Sequence, residues 1–421
     1  MPSSPSRTHE TGTLITDLDH CRWLVQHRNR LLDFYQPEVW ADGMGFAYLD
    51  DAGHPLRDSG AQLWIGARMT HCFAVAHLLG RPGAAEFAKK GVDFYLSGPG
   101  RDPEYDGWYA TVGGTQPSER KELYGQAHIV LAAASAAQAG IDGAEALLTQ
   151  ALAVIDRHYW LEDVGRCVEA FDRSFTDLDL YRGQNANMHL TEAYLAAFEA
   201  TGDRTLLLRA GRIAHNTVGA AAEPKAGSWR VCEHFSPDWE PLPDYNADQP
   251  HHPFRPYGSQ PGHWLEWAKL LMQIRGVGLS EDWMLPAARN LVDGAMQDGW
   301  QPSGGFVYTV DWDGTPVVKE RFWWPVAEAI GATRLLSLAT GEGRYADLYA
   351  QLWAYTQAHL IDPGNGTWFP EVDEHNRHVV VTWPGRPDLY HAFQATIYAF
   401  LPLDAGIALW ARSVSEDGER P

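Results

Sequence analysis

The chain has 421 residues, 45% hydrophobic, 12% aromatic and 21% charged, which is ample material for a large core. Its 33 Lys and Arg against 54 Asp and Glu leave a formal charge of −21. No basic stripe offers itself to phosphates, so no nucleic-acid partner is expected.

The start, Met1 to Gly12, is polar and lacks the apolar core of a signal peptide, and no later stretch reaches membrane-spanning length. Cys21, Cys72, Cys167 and Cys232 stand far apart with no CxxC spacing, which fits free thiols in a reducing cytoplasm. Apolar residues then recur at three- and four-residue steps near 14–35, 59–79, 84–96, 121–139, 143–160 and 185–201. The pattern continues near 203–218, 260–276, 281–298, 322–340, 342–359 and 388–401. Extended pieces are expected at Gly305–Val310, before the Asp313-Gly314 turn, and at His378–Trp383. With no long linker, 13–404 reads as one domain between a flexible tail at 1–12 and a C-terminal tail at 405–421. About twelve helices point to an all-α ring of six hairpins with inner and outer layers. An open solenoid of such pairs is the alternative.

The unusual residues alternate. The second predicted helix carries Trp64 and Arg68, the fourth Tyr124, Gln126 and His128, and the sixth Asn185, Asn187, His189 and Glu192. The eighth carries His263 and Glu266, the tenth Trp323, Trp324 and Glu328, and the twelfth Tyr390, His391 and Gln394. The odd helices look ordinarily amphipathic. Such alternation is what an inner ring around a central pocket produces. Eighteen tryptophans suit either a Trp-rich core or stacking against the C–H faces of sugars.

Three segments carry the chemistry. In Arg182-Gly183-Gln184-Asn185-Ala186-Asn187-Met188-His189, Asn185 and His189 are four apart and share a helical face. A capped helix with a hydrogen-bonded core histidine accounts for this segment equally well. In Pro261-Gly262-His263-Trp264-Leu265-Glu266, His263 and Glu266 are three apart, and a carboxylate there would raise the histidine's pKa and fix its tautomer. Metal ligation competes, but HxxxH is missing, and no metal is expected. In Asp388-Leu389-Tyr390-His391, a histidine inside an apolar helix, taken alone, reads as core.

Together these segments make the chain similar to the N-acylglucosamine 2-epimerase superfamily. The likeness rests on LWIGARM at 63–69, GGTQPSERKELYGQAH at 113–128, RGQNANMH at 182–189 and PGHWLEWAKLL at 261–271. It continues in FVYTVDWDG at 306–314, RFWWPVAEA at 321–329 and DLYHAF at 388–393. RGQNANMH and VDWDG resemble the aldose–ketose isomerase branch. The resemblance implies an (α/α)6 barrel and no cofactor. It implies that His391 carries a proton between C2 and C1 through a cis-enediolate, and that His263, tuned by Glu266, helps open the sugar ring. It further implies that Arg68 contacts substrate oxygens, that Asn185, His189 and Glu328 bind the sugar, and that Trp64, Tyr124 and Trp324 form the wall. His128 fits either a supporting or a core role.

A group with a pKa near about 6.5 both takes and returns a proton at neutral pH. One such base isomerises, and two on opposite faces epimerise at C2, so with two histidines the choice falls to geometry. No GxGxxG lies between a strand and a helix, so no redox cofactor is expected. A glycoside hydrolase would need two carboxylates, nominally from Glu266, Glu328 and Asp172. A non-catalytic sugar-binding toroid is the other alternative. Arg255, Lys319, Arg321 and Arg386 could cradle a sulfonate, as in sulfoquinovose. Pro384 and Pro387 beside Arg386 remove backbone donors and favour an uncharged monosaccharide, mannose and fructose first, then lyxose and xylulose. Pairing with a second copy of the chain is compatible with the sequence.

Overall fold

The computed structural model describes residues 13–418, and the expected tail at 1–12 lies outside the described residues. They contain thirteen α-helices: α1 Leu18–Tyr35, α2 Leu63–Leu78, α3 Ala84–Leu96, α4 Leu123–Gln138, α5 Ala144–Val154, α6 Gln184–Thr201 and α7 Arg204–Val218. The others are α8 Pro261–Gly276, α9 Met284–Gly294, α10 Trp323–Thr340, α11 Gly343–Tyr355, α12 Tyr390–Ala395 and α13 Ile407–Glu416. The even helices α2 to α12 touch in order, and α12 returns to α2, so they form a closed inner ring. The odd helices α3 to α11 each pack outside the even helix before them, and α1 packs on α12. This is the expected (α/α)6 barrel.

Composition decides which helix goes inside. α2, α4, α8 and α10 are buried on nearly every face and are mostly apolar, as enclosed helices are, apart from the few polar and charged side chains that build the site. The outer helices α3, α7 and α9 bury one stripe and expose the rest. Small residues bring the layers together. Ala132, Ala133, Ala134 and Ala136 are buried in α4, which packs between α2 and α6.

Short backbone bridges fix the upper rim. Ahead of an inner helix, Ala61 pairs with Val112, Lys121 with Phe171, Arg182 with Phe235 and Arg321 with Val372. Ser259 and Val310 bridge in the same way ahead of α8, and Leu49 and Arg386 close the circle. The first N–H groups of a helix have no intrahelical acceptor. Here Leu63 N donates to Ala110 O at 2.9 Å, Leu123 N to Glu169 O at 2.8 Å and Gln184 N to Glu233 O at 3.1 Å. Each acceptor lies in the loop leading to the next inner helix.

Two expectations need correction. Residues 405–421 are not simply a tail, because α13 buries Ile407, Ala408, Trp410 and Ala411 against α2, α4 and α6. Its amphipathic face covers the lower end of the ring, where Gly406 N donates to Glu199 at 2.6 Å. Residues 419–421 lie outside the described set. His378–Trp383 is also not a strand: after a single bridge from His378 to Val372 the chain bends, with Val380 and Val381 exposed. The other expected piece holds in part, as Thr309–Val310 pairs with Pro316–Val318 around Asp313-Gly314.

The approach to α13 leaves no room at Gly276, where an added Cβ would lie 1.7 Å from the backbone oxygen of Leu403. A backbone atom cannot rotate aside as a side chain can. Gly276→Ala should therefore lower the unfolding free energy by about 1–3 kcal/mol in urea titration. An unchanged midpoint would mean that the α13 segment docks loosely.

Candidate active site

The N-terminal turns of all six inner helices meet at one cavity of about 50 Å³. α2 contributes Trp64 and Arg68, α4 Tyr124, α6 Asn185 and His189, α8 His263 and Glu266, α10 Trp324, and α12 His391. Nine of the ten residues expected from the sequence thus converge there, brought from six separate helices. The positive ends of six helix dipoles point at the same place, which favours negative charge developing in it.

Two of the three pocket histidines, His263 and His391, are each backed by a hydrogen-bonded buried carboxylate. His263 Nδ1 lies 2.8 Å from Glu233 Oε2, and Gln184 Nε2 donates to the same oxygen at 2.7 Å. Gln184 is fixed in turn by the Trp267 indole, which donates to its Oε1 at 2.7 Å. His391 Nδ1 lies 2.9 Å from Glu328 Oε1. In both dyads Nδ1–H donates a hydrogen bond to the carboxylate, leaving Nε2 as the nitrogen available to the cavity. Burial lowers the pKa of His391, opposed by Glu328, so its imidazole is neutral at neutral pH. Trp324 stands beside both rings, 5.2 Å from His263 and 6.1 Å from His391 between centroids.

This geometry corrects two assignments. Glu266 does not serve His263; its contacts are His189 Nδ1 at 3.6 Å and Lys269 Nζ at 4.0 Å. A three-residue spacing puts Glu266 below His263 on α8, whereas Glu233 reaches His263 Nδ1 from the loop ahead of it. Glu328 does not line the cavity either. It is fully buried behind His391 and acts on the ring, not on a ligand.

Arg68 is locked before any ligand arrives. Its Nε donates to His128 Nε2 at 3.0 Å, one terminal nitrogen to Asp388 at 3.2 Å and the other to Tyr124 Oη at 3.0 Å. The guanidinium also lies 4.6 Å over the Tyr390 ring and 5.0 Å over Trp64. His128 is therefore a support for Arg68, and its other nitrogen bonds Tyr124 O at 2.7 Å. Asp388 both caps α12, accepting from Tyr390 N at 2.9 Å, and anchors Arg68.

Below the cavity lies a buried charge cluster. Lys269 Nζ is 2.5 Å from Glu328 and 4.0 Å from both Glu192 and Glu266. Unit charges 4 Å apart interact by about 4 kcal/mol at an effective dielectric constant of 20, so one ammonium cannot keep three neighbouring carboxylates ionised. Burial, with the charge of Glu328 beside it, pushes Glu266 well above the usual carboxylate range, so it holds the extra proton. For Glu192 burial acts upward too, but Lys269 and His189 outweigh it and hold it low, with the Tyr390 hydroxyl donating to it. His189, Glu192 and Glu266 bring donor atoms within 4.8 Å of one another, a spacing a metal ion accepts. A divalent ion there would face the Lys269 ammonium, which already meets the charge of those carboxylates.

Other sequence-stated elements fall elsewhere. Asn187 is structural, bonding the Cys167 backbone at 2.8 and 3.0 Å. Asp172 closes its own turn, accepting from Thr176 N at 2.7 Å, and with Glu266 and Glu328 committed to the cluster no carboxylate pair among the described residues flanks the cavity as a glycosidase requires. Arg386 is buried against Asp51 and Asp362, both at 2.8 Å, and Arg321 holds Asn376 and Ser303. Sequence reasoning missed Glu233, Gln184, Lys269, Tyr308, Phe254 and Trp383. Lys269, three residues after Glu266, Gln184 within RGQNANMH and Tyr308 within FVYTVDWDG stood in motifs already noted, whereas Glu233, Phe254 and Trp383 sit in loops outside any periodic pattern. Phe254 packs between Trp64, Tyr124 and Trp383 and separates the cavity from an outer vestibule of about 960 Å³.

A family model described as N-acylglucosamine 2-epimerase (GlcNAc 2-epimerase) matches residues 45–395. A D-mannose isomerase of Thermobifida fusca is 45% identical over 395 residues, 92% of this chain and 96% of that one. A D-mannose isomerase of Pseudomonas cannabina pv. alisalensis is 39% identical over 410 residues, covering 96% and 98%. A crystal structure of a D-mannose isomerase superposes with a TM-score of 0.84 at 31% identity, covering 90% of this chain and 97% of that one.

Burial holds His71 down to about 4, with its ring on Ser135 at 2.7 Å. The unfolded chain binds a proton near 6.5 that the folded chain refuses until about 4, so this residue's contribution is present above 6.5 and is lost as pH falls toward 4. His71→Gln removes the dependence. The stability gap between parent and variant should narrow by on the order of 3 kcal/mol between pH 6.5 and 4 in urea titrations. A gap independent of pH would show that the ring is not neutral in the fold.

Proposed function

The chain belongs to the N-acylglucosamine 2-epimerase family, and on that premise we propose that it is an aldose–ketose isomerase interconverting D-mannose and D-fructose. D-lyxose and D-xylulose, which share the C2 and C3 configuration, are proposed as further substrates. The observation that carries this reading is a pair of histidine–carboxylate dyads and a preorganised arginine facing one cavity.

In this reading the His263 imidazolium, stabilised by Glu233, delivers a proton to the ring oxygen as the C1–O5 bond breaks, and the imidazole takes up the O1 hydroxyl proton as the C1 carbonyl forms. His391 Nε2 then removes the C2 proton from the open aldose. Negative charge spreads over O1 and O2 of the cis-enediolate, where Arg68 and the helix N-termini stabilise it. A preorganised donor of this kind contributes about 3 kcal/mol. His391 returns the proton to C1 on the same face, and the ketose forms as the O2 hydroxyl proton passes to O1. Asn185 Oδ1 and His189 Nδ1, buried with no protein hydrogen bond among the described residues, are suited to sugar hydroxyls.

An uncharged substrate fits the charge placement. Among the described residues Arg68 is the one Lys or Arg side chain lining the cavity, and Asp388 already balances it. Arg321 and Arg386 are spent on structure, Arg255 stacks on Tyr181 at 3.8 Å, and Lys319 is exposed. The two dyads also favour a second reading, C2 epimerisation, in which His263 would be a second base. Among the described residues no helix is long and apolar enough to cross a membrane, in keeping with the proposed cytoplasmic location.

Incubating the protein with D-mannose and EDTA in deuterium oxide, and following the sugars by carbon NMR, tests the proposal. Fructose deuterated at C1 is expected; glucose as the main product would establish epimerisation instead, and unchanged mannose would refute both. His391→Ala should lower the C2 exchange rate by a factor of about 10² to 10⁴ with the fold intact. Arg68→Lys should lower kcat roughly 10²-fold with a smaller change in KM, because a lysine cannot reproduce the fork held by Asp388 and Tyr124. A change in KM alone would assign Arg68 to ground-state binding.

A further inference from the structure

We propose that Lys269 is a positioning residue that makes His391 the base of the pair by keeping Glu328 ionised behind it; this deepens, and rests on, the isomerase reading above.

Lys269 is wholly buried on α8 and does not line the cavity, so it acts only through its neighbours. Its ammonium lies 2.5 Å from Glu328 Oε2, and the other oxygen of that carboxylate holds His391 Nδ1 at 2.9 Å. Ammonium, carboxylate and imidazole therefore form one line ending at the pocket. The second dyad is built differently. Behind His263, Glu233 receives the neutral amide of Gln184 and the Gln260 backbone N–H at 3.2 Å, with no ammonium in contact. A carboxylate shared with an ammonium still accepts the Nδ1 hydrogen bond but gives less support to an imidazolium. His391 thus rests neutral, with its Nε2 lone pair free.

The surroundings make the ammonium necessary. Glu328 on α10 shares the space with Glu266 of α8 and Glu192 of α6, and the Tyr398 ring lies 5.8 Å from the ammonium. On the other side of His391 stand Arg68 of α2 and Asp388, which pair with each other. His71 of α2 is neutral, as its lowered pKa indicates, and supplies no cation. Without Lys269 the ionised Glu192 and Glu328 share the space beside protonated Glu266 with no cation in contact with Glu328 among the described residues. Glu328 then takes a proton and donates it to His391 Nδ1. The ring tautomer reverses, Nε2 carries hydrogen, and His391 cannot accept the C2 proton until Glu328 ionises at higher pH.

The test is the pH profile of kcat for mannose in Lys269→Met and Lys269→Arg. In Lys269→Met the acid limb should move up by at least about one pH unit, with kcat at pH 7 reduced roughly tenfold or more and KM changed much less. Lys269→Arg keeps the charge and should keep the acid limb of the parent even where turnover falls. An unmoved acid limb in Lys269→Met would overturn the proposal however low its turnover. If that variant does not fold, Lys269→Met/Glu328→Gln is compared with Glu328→Gln alone. Equal kcat values support action through Glu328, and a further loss in the double variant refutes it. A parent enzyme that moves no C2 proton would fell the isomerase reading itself; a parent that does, with an unmoved limb in the variant, fells only the role of Lys269.

Discussion

The rim of the barrel depends on backbone hydrogen bonds that leave the first turn of one inner helix and end in the loop feeding the next. The first N–H groups of a helix need acceptors from outside it, and here the neighbouring unit supplies them around the circle, closing at Leu49 and Arg386. The arrangement couples scaffold to site. Glu233 accepts the Gln184 N–H through its backbone oxygen and holds both Gln184 and His263 through its side chain. A single loop residue therefore sets the register of α6 and orients a catalytic candidate on α8.

The interior carries more charge than packing alone would select. Lys269, Glu192, Glu266 and Glu328 are buried together, and Arg68 and Asp388 form a second buried pair above them. Replacing such groups by well-fitted apolar ones is commonly neutral or stabilising in proteins. Their presence is better explained by what they do to the imidazoles. In the proposed isomerisation Glu328 and Glu233 choose the tautomers, Lys269 limits the charge that one of them can offer, and Arg68 meets the anion that proton removal creates. Six helix N-termini add a field of the same sign as Arg68. The site is thus polarised before substrate enters, which spares it reorganisation during the reaction.

Much of this was legible from residues alone. Helical periodicity marked the twelve helices of the ring, because a buried stripe or a wholly apolar helix is written locally. The alternation of Trp64, Tyr124, His189, His263, Trp324 and His391 on even helices pointed to an inner lining, and these side chains do meet at one cavity. What misled was proximity in sequence. Glu266 stands one turn from His263, yet its side chain goes to His189 and Lys269. Residues 405–421 look like a polar-ended tail, yet α13 finds an apolar floor that no local pattern announces.

By itself the sequence determined twelve of the thirteen helices, which of them alternate as inner and outer, and that Trp64, Tyr124, His189, His263, Trp324 and His391 share the inner lining, since periodicity and alternation are written along the chain. The tertiary structure alone decided which carboxylate serves which histidine. Glu233 lies 30 residues before His263 and Glu328 lies 63 before His391, and only ring closure sets them 2.8 and 2.9 Å apart. The pKa of a buried group depends on the few charges that touch it, and those contacts are made across helices, not along them.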